Sequence, residues 1–176
     1  MSIIRLPHTK EMIQEAHEWS LALGSLNNSI TKGAANKAAR IAELALAKHL
    51  GVSKPSDDYN HDILFKQEKI EVKTKRRTVK PKPFYDVSVA KTSDHQKPDR
   101  YAFLSLEFET SVGRGTRKKY LRLKNVWYCG DISHQDFWSK AELWKKGRVD
   151  KSNNFHTHVD MYNMRISDLE NKLVHE

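Results

Sequence analysis

The chain has 176 residues, a length that fits one domain with a single sizeable core. Its 31 lysine and arginine residues exceed its 22 aspartate and glutamate residues, and the resulting formal charge of +9 favours a polyanionic partner, with nucleic acid as the default. No run of about 18 apolar residues predicts a membrane span, and a single cysteine, Cys129, excludes an intrachain disulfide and a cysteine-based zinc site.

Two helices are predicted in the first third of the chain. Thr9 is a suitable N-cap for a helix to Leu23, which Gly24 would end, and we expect this helix to pack outside the core. The alanine-rich segment AANKAARIAELALAKHLG predicts a second helix with Gly51 as its C-terminal cap.

Five strands are predicted after a polar loop. Two short apolar-rich runs, HDILF and KIEVKT, are separated by KQE, the length of a hairpin connection. A basic loop, KRRTVKPKP, then leads to FYDVSVA and YAFLSLEFE, which are rich in β-branched and aromatic residues. The basic turn GRGTRK precedes a further predicted strand, KYLRLKNVWYCG.

The C-terminal part of the chain is predicted to be helical at two places. SHQDFWSKAELWKKG begins with a capping box, Ser133 with Asp136, and would end at Gly147. KSNNFHTHVDMYN is typical of a loop or an edge strand, and a second capping box, Ser167 with Glu170, predicts a short final helix.

This order of elements predicts an α/β fold in which helices flank a central mixed β-sheet. We expect one domain over residues 1–176. It would comprise an N-terminal helix at about 9–23, a core at about 33–147 and a C-terminal extension at about 148–176.

Three polar side chains are brought together by the predicted hairpin. Alternation along its second strand places Glu71 and Lys73 on one face and Val72 on the other. Asp62 lies within the apolar run of the first strand, where a lone carboxylate is costly unless a positive charge meets it. Mg²⁺ favours hard oxygen ligands, which Asp62 and Glu71 would provide across the hairpin. With Lys73 beside the bound water, this set suits hydrolysis of a phosphodiester.

Glu43 lies on the apolar side of the second helix, together with Ala39 and Leu46. It is interpreted either as a further member of the metal site or as an ordinary helix acid paired with Arg40 or Lys48. The sequence leaves both interpretations open.

The succession of Glu43 on a helix, then Asp62, then Glu71-Val72-Lys73 resembles the PD-(D/E)XK, or restriction-endonuclease-like, superfamily over roughly residues 33 to 130. The resemblance implies that Asp62 and Glu71 bind a metal ion and that the Val72 carbonyl adds a ligand. It further implies that Lys73 assists the nucleophile and that Glu43 acts directly or through water.

Other parts of the chain bear on the same resemblance. His61 precedes Asp62 where the family name has a proline, a position that members of the superfamily often replace. VWYCGDISHQDFWSKAELWKKG and VDMYNMRISDL are similar to the closing segments of small phage and restriction-type nucleases of this superfamily. The basic charge fits such an enzyme.

The expected function is therefore a Mg²⁺-dependent DNA endonuclease, a phosphodiester hydrolase in which Mn²⁺ would substitute for Mg²⁺. We expect double-stranded DNA as substrate and a homodimer, because one site cuts one strand. The alternatives are a nucleic-acid-binding protein that keeps the fold without catalysis, and a structure-specific nuclease such as a junction resolvase. No Walker-type loop predicts a nucleotide cofactor. The apparent lack of a leader fits a bacterial or phage-infected cytoplasm.

Two groups of basic residues are candidates for DNA contacts. The first directly follows the second hairpin strand, a position suited to the phosphates that flank the scissile bond. The second lies at a predicted hairpin tip, where a solvated turn is equally expected. The first group comprises Lys75, Arg76, Arg77, Lys80 and Lys82, and the second comprises Arg114, Arg117, Lys118, Lys119 and Arg122.

The tryptophan and histidine residues are interpreted as structural or surface residues rather than as parts of a binding site. Trp127, Trp138 and Trp144 are expected to pack in the core or between helices rather than to stack on bases. His156 and His158 could bind Zn²⁺ from one strand face, but isolated histidines are usually polar surface residues. No zinc site is predicted.

Overall fold

A computed structural model of the protein describes residues 2–23, 34–56, 60–112, 119–151 and 154–175. The architecture is mixed α/β, as predicted, and none of the described helices is long and apolar enough to cross a membrane. The described elements are β1 Ile4–Leu6, α1 Lys10–Leu23, α2 Ala34–His49, β2 Ile63–Phe65, β3 Glu68–Arg77, β4 Asp86–Ala90, β5 Arg100–Val112, β6 Lys119–Ser133, α3 His134–Lys140, β7 Glu142–Trp144, β8 Val149–Asp150, β9 Phe155–His156, β10 Met161–Arg165 and α4 Lys172–His175.

The larger sheet has the strand order β1-β6-β5-β3-β2. β3 and β5 run parallel, from Ile70 opposite Arg100 to Arg77 opposite Glu107, and the other neighbours are antiparallel. β2 pairs only with the first three residues of β3. Within the described residues, positions 71–77 of β3 therefore have a strand neighbour on one side only.

The predicted hairpin of β2 and β3 is confirmed, but its turn is shorter than expected. Lys66 and Gln67 form the turn with φ values of 47° and 70°, as a two-residue turn of the hairpin type requires. Asp62 was expected in the first strand and instead precedes it, because the chain bends there. Its N–H donates to the Ile70 carbonyl at 2.9 Å, and its carbonyl accepts from the Ser56 N–H at 2.6 Å.

Both predicted N-terminal helices are confirmed. The Thr9 hydroxyl accepts the Met12 N–H at 3.2 Å and caps α1, while Gly51, with φ +73°, ends α2 in the left-handed conformation. The proposed cap Gly24 lies outside the described residues. The expectation that α1 packs outside the core was wrong, because Met12 and Ala16 share one face and are buried against α2.

Apolar side chains form a core on each face of the larger sheet. On one face Val72 of β3 and Leu104 of β5 pack with residues of α1, α2 and α4. On the other face Tyr101 and Phe103 of β5 pack with Phe137 of α3 and with residues of β4 and β10. The alternation of a strand thus assigns neighbouring residues to different cores.

The prediction of one central sheet was incomplete, because β4 belongs to a second sheet with the order β4-β10-β7. β10 pairs along its whole length with β4, from Met161 opposite Ala90 to Arg165 opposite Asp86. The segment predicted as a loop or an edge strand therefore supplies the middle strand of this sheet. Met164 is buried there, which favours a strand with neighbours on both sides. The strand β1 was not predicted.

The helix predicted to continue to Gly147 ends at Lys140. Its start is confirmed, because the Ser133 hydroxyl accepts the Asp136 N–H at 3.1 Å. Ala141 is extended, with φ −71° and ψ 139°, and the next three residues pair with β10 as β7. Strand pairing over a long sequence separation thus overrides the local helical pattern.

The final helix, α4, begins at Lys172 rather than after Ser167. The expected capping box is absent because Glu170 forms a backbone bridge with Asp131, with both N–H···O contacts at 2.8 Å. Leu173 of α4 is buried in the core that contains α2. The predicted C-terminal extension therefore contributes to both cores.

A buried ion pair links the start of β5 to β6. Arg100 Nη1 lies 2.5 Å from Asp131 Oδ1, and Asp131, at 0% exposure, also accepts the Tyr128 hydroxyl and the Leu173 N–H. The same two strands carry an exposed pair, Glu109 with Arg122.

We predict that Asp131→Ala lowers the free energy of unfolding by about 3–5 kcal/mol, because it leaves the buried Arg100 charge without its closest partner. The matched control is Glu109→Ala, which removes an exposed ion pair between the same strands and is expected to cost under about 1 kcal/mol. Urea denaturation measures both. An equal loss of unfolding free energy in the two variants would contradict the prediction.

Candidate active site

A cleft of about 590 Å³ follows the side of β3 that lacks a strand neighbour. Every residue of β3 from Glu71 to Arg77 lines it. The N-terminal half of α2 forms one wall, and the second sheet with the β8–β9 hairpin forms the other. The incomplete pairing of β3 therefore creates the space in which the predicted site residues meet.

Five carboxylates line this cleft. Three of them belong to the predicted site, namely Glu43 from α2, Asp62 from the bend before β2 and Glu71 from β3, and the other two are Asp86 of β4 and Asp150 of β8. Burial and, after it, the charges of Glu43 and Glu71 raise the pKa of Asp62 to about 8, against the opposing effects of the Val72 N–H and Lys73. Burial thus disfavours the charged form of Asp62, and the neighbouring carboxylates add to that effect.

Asp62 is fixed by the open edge of β3. Its Oδ2 accepts the Val72 N–H at 2.7 Å, so the side chain satisfies a backbone donor that has no strand partner there. This hydrogen bond brings the carboxylate of Asp62 beside that of Glu71. It also explains why Asp62 lies in a bend and not in a strand.

Lys73 contacts two side chains across the cleft floor. Its Nζ lies 2.6 Å from Glu71 Oε1 and donates to Gln96 Oε1 at 3.2 Å. The alternation predicted for β3 is confirmed, because Glu71 and Lys73 meet on one face while Val72 packs in the core on the other. The lysine ammonium is consequently held at the carboxylate cluster.

Glu43 forms the pair with Arg40 that one of the two interpretations of the sequence expected. It is buried, at 7% exposure, and its Oε2 lies 3.0 Å from Arg40 Nη1. The Arg40 guanidinium lies 4.9 Å from the centroid of the Trp19 ring of α1. Glu43 is therefore paired within its helix, and it also lies close enough to Asp62 to raise the pKa of that carboxyl.

The residues of the cleft fit a hard divalent cation. Carboxylate oxygens are the ligands that Mg²⁺ prefers, and a cation would favour the charged form of Asp62, whose pKa is raised by burial and by two neighbouring carboxylates. Among the described residues, no group of three or more His, Cys, Asp or Glu side chains is arranged to hold a metal ion by itself. Mg²⁺ commonly takes one or two carboxylates and completes its shell with water and substrate oxygens. Asp62 and Glu71, with Glu43 nearby, would hold it.

The first basic group divides into residues inside the cleft and residues outside it. Lys75 lines the cleft, where burial and then the Arg77 charge lower its pKa to about 8 against the opposing charges of Asp86 and Asp150. Arg77 donates to Ser105 Oγ at 3.1 Å and to the Asp86 carbonyl at 2.7 Å. Arg77 is thus bound by the protein itself.

The other members of this group are exposed and lie over aromatic rings. The charged group of Arg76 lies 5.2 Å from the ring centroid of Phe108. That of Lys80 lies 4.6 Å from the centroid of Trp127, and that of Lys82 lies 5.7 Å from the centroid of Phe84. Arg76 lines the cleft and also an adjoining groove. Lys80 and Lys82 line neither.

The second basic group lies mostly outside the described residues, which exclude Arg114, Arg117 and Lys118. Lys119 is the first residue of β6. Arg122, which has an exposed side chain, pairs with Glu109 across β5 and β6. The described residues therefore bring Lys75, Arg76 and Arg77 of the first group, but not Arg122, to the cleft.

Several residues of the site, among them Gln96, Phe155 and Trp144, were not found from the sequence. Gln96, which contacts Lys73, lies in an irregular segment and gave no local signal. Phe155 lines the cleft from β9. Trp144 was expected to pack in the core, as Trp138 does, but it lines the cleft from β7. Its position depends on the pairing of β7 with β10, which the sequence did not predict.

A scan against protein-family models, a search of curated proteins and a search of solved structures each find no match to this chain. The chemistry of the cleft is therefore inferred from its own side chains, charges and distances.

We predict that Asp62→Asn changes how the stability of the metal-free protein depends on pH. The folded state keeps a proton on Asp62 from the ordinary pKa of 3.8 up to about 8, where the unfolded chain has lost it. Ionisation in this window therefore destabilises the wild type as pH rises. The asparagine variant should lack this loss and be the more stable protein near the upper end of the window.

The matched control is Asp99→Asn, because Asp99 also accepts a backbone N–H of β3, that of Lys69 at 2.7 Å, but is exposed to solvent. Denaturant titrations in chelator at several pH values measure the effect. The prediction would be contradicted if the difference in free energy of unfolding between the wild type and Asp62→Asn stayed constant with pH.

Proposed function

We propose that the protein is a divalent-metal-dependent DNA endonuclease with a site of the PD-(D/E)XK type. The observation that carries this proposal is the meeting of Glu43, Asp62, Glu71 and Lys73 at the open edge of β3. The order of α2, the β2–β3 hairpin, and β5 parallel to β3 supports the restriction-endonuclease-like core that the resemblance implies. The net charge of +9 supports a polyanionic substrate.

In this proposal Asp62 and Glu71, assisted by Glu43, hold Mg²⁺ or Mn²⁺. The bound ion would lower the pKa of water and offset charge on the phosphoryl oxygens. Lys73, held by Glu71 and Gln96, orients the attacking water and stabilises the charge that develops on the phosphate. Water adds to phosphorus, the bond from phosphorus to the leaving oxygen breaks, and a phosphate end and a hydroxyl end result.

A binding protein that keeps this fold without catalysis is the second candidate. It is favoured by the two ion pairs of the site, Arg40 with Glu43 and Lys73 with Glu71, which already offset two of the carboxylates. Such a protein would bind DNA without added metal, and its affinity would fall steeply with salt. Cleavage assays with and without metal separate the two candidates.

Cleavage of both strands of a duplex would need two such sites. A homodimer would supply them, because each chain carries one cluster of the residues named above. Light scattering in the presence and absence of DNA measures the oligomeric state. A monomer in both conditions would limit the proposed enzyme to cutting one strand at a time.

We predict that Asp62→Asn and Lys73→Ala each reduce DNA cleavage by at least about 10²-fold, because each removes a group that acts on the charge of the transition state. Calorimetric titration with Mn²⁺ should distinguish their roles. Asp62→Asn should lose metal binding, whereas Lys73→Ala should retain it.

Lys69→Ala is the matched control, because Lys69 lies on the same strand, β3, and on the same face of it as Lys73. Its side chain is exposed and lies outside the cleft. It should cleave as the wild type does, and circular dichroism should show all three variants folded. Wild-type cleavage rates in folded Asp62→Asn would refute the proposed site.

A further inference from the structure

The wall of the cleft that belongs to the second sheet and the β8–β9 hairpin carries two aromatic side chains. Trp144 of β7 and Phe155 of β9 both line the same cleft as Glu43, Asp62 and Glu71. Phe155 is 40% exposed, although large apolar side chains normally bury their surface. Rings on the wall of a cleft that also holds a row of cations suit bases, because contacts to the backbone of a duplex use charged and polar groups instead.

Trp144 is held in place by polar contacts. Its Nε1 donates to Glu142 Oε2 at 3.0 Å, and the Arg148 guanidinium lies 4.1 Å from the ring centroid. Arg148 in turn donates to Glu142 Oε1 at 2.7 Å. The ring is therefore fixed before any ligand arrives, which lowers the entropic cost of stacking a base against it.

Phe155 extends the aromatic lining beyond the cleft. It also lines an adjoining groove of about 530 Å³, together with Tyr85 and Phe108. Arginines lie against both rings, with Arg77 5.0 Å from the centroid of Tyr85 and Arg76 5.2 Å from that of Phe108. A groove in which basic groups alternate with aromatic rings is typical of proteins that bind single-stranded nucleic acid.

The cleft floor supplies positive charge for a phosphate backbone. Three cations on one face of β3 line the cleft, namely Lys73, Lys75 and Arg77. Because an extended strand rises by about 3.3 Å per residue, they span a length of about 13 Å. Lys75 is partly buried beside Arg77, so an anion in the cleft would stabilise its charged form. The positive row runs from the carboxylate cluster towards the adjoining groove.

The cleft lies between α2 and the second sheet and has a volume of about 590 Å³, the size of a pocket for a small ligand. An unpaired strand can place single bases against the wall of such a cleft while its phosphate approaches Asp62 and Glu71. The bases of an intact duplex are stacked and paired with one another, so they are not free to stack on the rings of the wall.

We propose that this cleft binds single-stranded DNA, with unpaired bases stacked on Trp144 and Phe155 and phosphates along Lys73 and Lys75. This inference rests on the proposed nuclease function and narrows its substrate. The sequence predicted an intact duplex as substrate, and the inferred substrate is instead a single strand or the unpaired strand of a branched DNA. That substrate class agrees with a structure-specific nuclease, the alternative that the sequence left open.

Fluorescence anisotropy with the Asp62→Asn protein in chelator tests the inference without cleavage. The probes are a labelled single-stranded oligonucleotide of about 12 nucleotides and its duplex. The single strand should bind at least about tenfold more tightly than the duplex. Adding Trp144→Ala or Phe155→Ala should weaken binding of the single strand by about tenfold each, because a stacking ring is lost.

The matched control is Phe84→Ala, which removes an aromatic side chain of 55% exposure that lines neither the cleft nor the groove. It should leave binding unchanged. Trp144→Phe keeps a ring and should retain most of the affinity, which separates stacking from a loss of folding. Circular dichroism checks each variant.

Equal or tighter binding of the duplex would overturn the inference, as would wild-type affinity in both aromatic variants. Tighter binding of single-stranded RNA of the same sequence would overturn the assignment to DNA. Because this assay needs no cleavage, failure of the nuclease proposal would appear separately, as intact DNA after incubation of the wild type with Mg²⁺ or Mn²⁺.

Discussion

The pairing of β3 is the constraint on which the rest of the site depends. β5 covers one side of the strand along most of its length, but β2 covers the other side only as far as Ile70. The Val72 N–H beyond that point is satisfied by the carboxylate of Asp62. A backbone requirement therefore positions an acidic side chain, and the same open edge leaves room for the cleft.

The charges of the cleft follow from this arrangement. Glu43 and Glu71 each have a cation within 3.0 Å, whereas Asp62 is held mainly by a neutral backbone donor. Burial and the two neighbouring carboxylates then raise its pKa to about 8. A buried carboxylate cluster of this kind reduces stability unless a cation binds, which links the electrostatics of the fold to the proposed metal.

The two faces of the larger sheet contribute differently to the proposed function. The face covered by α1 and α2 is a continuous apolar core, and it fixes the helix that carries Glu43. The face covered by the second sheet ends in a wall with exposed aromatic surface at Phe155 and a fixed ring at Trp144. One face thus supports the helix that carries Glu43, and the other carries Glu71, Lys73 and the aromatic wall of the cleft.

The sequence alone determined the features that depend on neighbouring residues. These are the cap at Thr9, the alanine-rich α2, the β2–β3 hairpin and the alternation that pairs Glu71 with Lys73. Only the tertiary structure decided the end of α3, the second sheet and the position of Trp144 in the cleft wall. The reason is that β4 and β7 join the second sheet by pairing with β10, and local periodicity contains no information about a partner so distant in the chain.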